Sequence, residues 1–159
     1  MPTEYHDVFP KQTHDFAASI QYIKPDQIRK MLNETLKDYN TYAFEQDEEW
    51  DEDTRTTAKK ANENAFKVLL TLFNNLPDFK SKTDAKTVLR VSHDSGTGPL
   101  LDRLVQDCES KLQYTAGKDY SEYHEAINLT GLKKIIDPLM TSTGDFSKPS
   151  LWPLTRQVR

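Results

Sequence analysis

Apolar residues recur at three- and four-residue steps in three separate stretches of this chain, and each recurrence predicts an amphipathic helix. The first stretch runs from Pro25 to about Phe44: Ile28, Leu32, Leu36, Tyr39 and Ala43 share one face, with Met31 and Tyr42 on its flank. Pro25 suits a first helical turn, where its missing N–H costs nothing, and Asp26 meets the positive end of the helix dipole. The second begins near Asp53 or Thr54, either of which can cap it, and carries Ala58, Ala61, Ala65, Leu69, Leu72 and Leu76 until Pro77 stops it. Its stripe starts small and ends bulky, so a neighbour should approach closely at one end and leave a wider gap at the other. The third opens at Pro99 and aligns Leu101, Leu104, Val105, Cys108 and Leu112. Leu69 and Leu104, each in mid-stripe, are expected in the core.

The remaining segments carry weaker patterns. Phe16 to Ile23 is too short for periodicity to separate a helical turn from a strand. Residues 78–86 read as a polar connection, and Thr87 to Val91, β-branched at both ends, is the one expected strand. After the Ala116-Gly117 break, short helices are expected around Tyr120 to Ile127 and Leu132 to Met140, the latter disturbed by Pro138. From Thr141 onward Gly144, Pro149 and Pro153 argue against regular structure. The resulting expectation is an all-α fold, a compact bundle of four or five helices with at most a minor strand near 87–91. An N-terminal arm would span 1–14, the helical domain 15–140 and an extended C-terminal tail 141–159.

Composition narrows the function classes. With 159 residues, 36% hydrophobic and 29% charged, the chain suits one domain whose core comes from thin stripes. A formal net charge of −4 disfavours broad electrostatic binding to nucleic acid or anionic lipid. No apolar run approaches a membrane span, and MPTEYHDVFPK lacks the regions of a signal peptide. A single cysteine, Cys108, cannot form an internal disulfide. The expected compartment is therefore cytoplasmic or nuclear, without secretion, and the Asn128-Leu129-Thr130 acceptor triplet is read as incidental.

Three of the four histidines precede aspartate: His6-Asp7, His14-Asp15 and His93-Asp94. The dipeptide is similar to that of the HD-type metal phosphohydrolases, an all-helical family in which adjacent His and Asp share a metal. That family also needs a further upstream histidine and a distant aspartate, for which only His14 and Asp119 or Asp137 are at hand. Val91 to Leu101, VSHDSGTGPLL, resembles the late His-Asp segment of histidine acid phosphatases, which implies a loop presenting an acid to a leaving group. Their Arg-His-Gly nucleophile motif has no counterpart here, because no Arg-His pair exists in the chain. Asp94-Ser95-Gly96 also matches the aspartic-protease triplet, but those enzymes are β-rich. No metal-ligand set and no cofactor are expected.

Ser95, Gly96, Thr97 and Gly98 form a candidate anion-binding loop ahead of a helix N-terminus, whose free N–H groups suit phosphate. The simpler reading is a turn in which Ser95 or Thr97 caps the helix. Cys108 sits on an apolar stripe with no base at helical spacing, and is read as a packing residue. Lys80, Lys82, Lys86 and Arg90 make a basic cluster that Asp78 and Asp84 interrupt. The block EQDEEWDED places seven carboxylates within residues 45–53, suited to a helix cap or to a basic partner. The tail KPSLWPLTRQVR complements that charge and either lies on its own domain or reaches a neighbour. Trp50, Asp51, Trp152 and Arg156 are the expected contact residues. The leading expectation is a non-enzymatic module that binds a protein partner or self-associates, and the alternative is a small metal-dependent phosphohydrolase or phosphate-binding domain centred on the loop at His93.

Overall fold

The computed structural model describes residues 9–140 and 151–158. In chain order the elements are β1 (Phe16–Tyr22), α1 (Pro25–Phe44), α2 (Glu52–Phe73), a 3-10 turn at Pro77–Phe79, α3 (Lys82–Ser95) and α4 (Gly98–Ala116). A second 3-10 turn at Gly117–Asp119 leads to β2 (Ser121–Ala126), α5 (Leu129–Met140), a third turn at Trp152–Leu154 and β3 (Thr155–Val158). The described fold is mostly helical with one small antiparallel sheet, in the order β2-β1-β3.

The three helical stripes are buried over most of their length, while Ala43, Ala58 and Ala61 are half-buried and Leu76, also half-buried, lies beyond the end of α2 at Phe73. Ile28, Leu32, Leu36 and Tyr39 of α1, Leu69 and Leu72 of α2, and Leu104, Val105, Cys108 and Leu112 of α4 join one core. α1 packs against both α2 and α4. Local chemistry sets the helix ends. At α1, Gln27 Oε1 accepts the Lys24 N–H at 3.4 Å; Lys24, whose ammonium only donates, supplies no reciprocal cap. α2 starts at Glu52 because Asp51 accepts the Thr54 N–H at 2.7 Å, two or three residues ahead of the expected caps Asp53 and Thr54. Lys111 of α4 reaches the Leu72 carbonyl and Asn75 Oδ1, and so ties α4 to the last turn of α2.

Three segments depart from expectation. Thr87 to Val91 is helical, not a strand, and so are residues 82–86, expected as connection. Ser81 caps α3 by accepting the Asp84 N–H at 3.1 Å and donating to its carboxylate at 2.7 Å, while Ala85, Leu89 and Ser92 supply a helical inner stripe. The β-branched Thr87 and Val91 fall on the outside, Val91 being 59% exposed. Residues 121–126 form a strand where a helix was expected, because SEYHEA finds a hydrogen-bonding edge on β1: Phe16 pairs with Ala126 and Gln21 with Ser121. Phe16–Tyr22 thereby resolves as the central strand, with Ala18, Ile20 and Tyr22 buried on one face.

The third departure is the tail. Trp152–Leu154 forms a turn and Thr155–Val158 an edge strand on β1, and the Ile23 N–H donates to the Leu154 carbonyl at 2.8 Å. Leu154 and Val158 are fully buried. The segment is part of its own core, since two apolar side chains and a strand edge find on β1 the partners that a free tail lacks. Residues 1–8, including the His6-Asp7 pair, and residues 141–150 and 159 lie outside the described residues.

Replacing Leu69, Leu104 or Leu154 with alanine is expected to lower stability by about 2 to 5 kcal/mol each, the range for a truncated core leucine. Denaturant unfolding measures it. A loss within a few tenths at Leu154 would put the tail back outside the core.

Candidate functional site

The C-terminal end of α1 carries two clefts, one on either side of a ridge made by Phe44, Arg90 and His93. Phe44 is half-buried and its ring meets both others: the Arg90 guanidinium lies 5.1 Å from its centroid, and the His93 ring 4.8 Å away at a 38° tilt.

The first cleft, about 610 Å³, is lined on its aromatic side by Tyr39, Tyr42, Phe44 and Phe66. Tyr39 is held there by the buried stripe of α1, and its ring stacks on Phe66 of α2 at 5.6 Å and meets Phe44 edge-on at 5.9 Å. Asn62 Nδ2 donates to the Tyr39 carbonyl at 2.7 Å, which pins the two helices at this level. Burial raises the Tyr39 hydroxyl above its ordinary range, and the Arg90 charge opposes that shift. The wall is cationic. Lys82, Lys86 and Arg90 recur every four residues along α3 and line the cleft together, with Lys86 Nζ 5.9 Å from the Phe66 centroid. Among the described residues none of the three has a carboxylate within ion-pair distance, and Glu63 is the only acidic side chain on the lining.

The second cleft, about 390 Å³, is lined by Asn33, Leu36, Lys37 and Asn40 of α1, by Glu45 and His93, and by Gly96 and Thr97 at the α3–α4 junction. His93 Nε2 lies 3.2 Å from Glu45 Oε1, and Nδ1 lies 3.4 Å from Asp94 Oδ1.

The sequence-predicted residues fall in several places. His93, Asp94 and Ser95 belong to the last turn of α3, not to a loop, which leaves Gly96 and Thr97 as the whole connection. Gly96 adopts φ +100°, a conformation open to glycine, and lets α4 follow α3 across a two-residue connection. Neither expected cap forms: Ser95 Oγ donates back to the Val91 carbonyl at 2.7 Å, and Thr97, at the N-cap position of α4, makes no side-chain cap bond. Gly98 is the first residue of α4.

Asp51 is engaged as the cap of α2, and its hydrogen bonds from Thr54 hold its carboxyl below the usual range. Trp50, beside it, is half-buried. Trp152 is half-buried and Arg156 exposed at the sheet, beyond the N-terminal end of α1. A 20-residue helix is about 30 Å long, so the acidic block and the tail stand at opposite ends of one subunit.

His14 and His124 serve the sheet. His14 Nδ1 contacts Glu125 at 2.7 Å, and the Thr13 and His14 N–H groups donate to the same carboxylate. Phe9 adds an edge-on contact to Tyr123 at 5.7 Å, so residues 9–14 are clasped onto β2. On the opposite face of β2, Glu122 accepts the Tyr22 hydroxyl at 2.6 Å and pairs with His124 at 2.7 Å. Among the described residues no three His, Cys, Asp or Glu side chains converge as a metal site. Cys108 is fully buried, and burial pushes its thiol up to about 12.

Sequence reasoning found Lys82, Lys86 and Arg90 but took Asp78 and Asp84 to interrupt them. The structure removes both: Asp78 pairs with Arg103, and Asp84 turns back to Ser81. It missed the aromatic wall and Asn40. The four-residue spacing of the cations was the available signal, and it becomes readable only once 82–95 is recognised as helix.

Scanned against protein-family models, curated proteins and solved structures, the chain matches none.

Two measurements check this account. Cys108 is expected to resist thiol reagents at neutral pH until the protein unfolds, and labelling of the folded protein at a free-thiol rate would contradict it. Hydrogen bonds from Thr13, His14 and Tyr123 lower the Glu125 carboxyl from 4.5 to about 2. The clasp should therefore be intact above pH 4.5 and be lost as pH falls through about 2. Carbon-detected NMR of Glu125 reads this directly, and titration near 4.5 would exclude the clasp.

Proposed function

We propose that the protein is a non-enzymatic binding module of the cytoplasm or nucleus, whose helices hold the aromatic and cationic cleft on α1, α2 and α3 as a docking surface for an acidic segment of a partner protein. One observation carries the reading: three cations at four-residue spacing line an aromatic cleft, Lys86 and Arg90 standing over its rings, and no carboxylate among the described residues lies within ion-pair distance of them. Such a cleft suits a short segment that presents carboxylates to the cations and an apolar or aromatic side chain to the rings. Rings supply affinity by desolvation, while charges steer encounter and set register.

Scale favours a peptide over nucleic acid. The cations span eight residues, about 12 Å of helix, and the chain as a whole carries a formal net charge of −4. That geometry matches one short anionic segment and opposes an extended phosphate backbone. This reading keeps the partner class expected from the sequence and moves the principal contact away from Trp152 and Arg156, since Leu154 and Val158 commit the tail to the core.

A synthetic peptide with a central tryptophan flanked by glutamates is expected to bind saturably and to weaken with salt. The exposed-surface variant Lys82→Glu/Lys86→Glu/Arg90→Glu should lose at least about tenfold in affinity, roughly the effect of 1.4 kcal/mol, with unchanged circular dichroism. A peptide of this chain's own residues 45–53 distinguishes self-association from a separate partner. Absence of peptide binding, or tighter binding of a single-stranded oligonucleotide, would overturn the reading.

A further inference from the structure

The second cleft is chemically bipolar. At one end stands the N-terminus of α4, a helix of 19 residues whose dipole presents positive charge. Thr97 leaves it without a side-chain cap and Ser95 is turned away; Pro99 has no N–H and that of Leu101 donates to the Thr97 carbonyl at 2.9 Å, which leaves the Gly98 and Leu100 N–H groups without an acceptor among the described residues. A Cβ added at Gly96 or Gly98 would meet nothing within 4 Å, and the backbone there is open to a ligand. Lys37 lines the same cleft.

At the other end stand acceptors. Asn40 is 6% exposed, lines the cleft, and its Oδ1 is buried with no hydrogen-bond partner. A buried acceptor without a donor is destabilising, and its survival beside a cleft points to a donor that arrives from outside. The Glu45 carboxylate lies beside it on the lining, with one oxygen held toward His93. Glu45 also ends α1, where the carbonyls make the negative pole of that helix.

We infer that this cleft binds a small zwitterion of the amino-acid class. Its carboxylate would be taken by the free N–H groups at the start of α4, that of Gly98 foremost, and by Lys37, and its ammonium by Asn40 Oδ1 and Glu45. A simple anion such as phosphate satisfies the first set and is repelled by Glu45; a simple cation does the reverse. The volume, about 390 Å³, lies toward the small end of ligand pockets. The site is independent of the aromatic cleft, and neither proposal requires the other.

The test is a titration of the isotope-labelled full chain with each of the twenty free amino acids, read by amide NMR. At least one should shift Gly96, Thr97, Gly98 and the Asn40 side-chain amide saturably. Its N-acetyl and methyl-ester derivatives, each lacking one charge, should bind at least about tenfold more weakly, as expected for loss of one charge-assisted contact. Lys37→Gln should weaken binding to a similar degree. Asn40→Leu should abolish binding while raising the unfolding temperature, because it removes an acceptor that the empty protein leaves unpaired; a structural asparagine would lower that temperature instead. If Asn40→Leu fails to fold, Lys37→Gln and the two derivatives decide the matter. No saturable shift with any amino acid, equal binding of the derivatives, or tighter binding of inorganic phosphate would overturn the proposal.

Discussion

Burial of one stripe on α1 is the constraint on which the rest of this molecule depends. Ile28, Leu32, Leu36 and Tyr39 face inward together, and each lies three or four residues from the next, so none can be withdrawn without turning the whole helix. Because α1 packs on both α2 and α4, this rotation sets the position of two other helices. It also decides what appears at the helix end. Tyr39 is the last core residue of the stripe and the first ring of the aromatic cleft, while Asn40, next to it, is turned toward the polar cleft. Stability and candidate function thus share one helical register.

β1 supplies the second constraint, at the other end of α1. It pairs with β2, about a hundred residues later, and with β3 near the C-terminus, and Tyr22 and Ile23 also hold the Tyr120 and Leu154 carbonyls by backbone bonds. Those long-range bonds close the chain upon itself. The tail spends Leu154 and Val158 on this closure, which is why an apolar segment that reads as adhesive is in fact occupied. The N-terminal clasp on Glu125 extends the same sheet with polar contacts.

The surface chemistry follows from where partners are missing. Outside the clefts several cations are paired with carboxylates at the surface: Arg29 with Asp102 and Arg103 with Asp78. Exposed pairs of this kind contribute little stability. Lys86 and Arg90 differ because the rings of Phe66 and Phe44, not carboxylates, lie beneath them. A ring attracts a cation without neutralising it, so the wall keeps its charge for a ligand.

The three long helices, their inward faces, the buried Leu69 and Leu104 and the packing role of Cys108 were legible in the sequence, since a period of 3.6 residues over four or more turns leaves no competing register. Composition likewise set an acidic chain, and among the described residues no helix is long and apolar enough to cross a membrane. Short segments were not legible. Residues 16–22, 121–126 and 155–158 carry too few positions to declare a period, and they become strands because each finds a hydrogen-bonding edge that only the folded chain provides. Residues 82–95 were misread because β-branched Thr87 and Val91 lie on the exposed side of a helix, where packing does not penalise them. Both clefts belong to the same category. Tyr39 and Phe66, Arg90 and Phe44, and Asn40 and Thr97 are distant in the chain, and it is the register of α1 against α2, α3 and α4 that brings them to common surfaces.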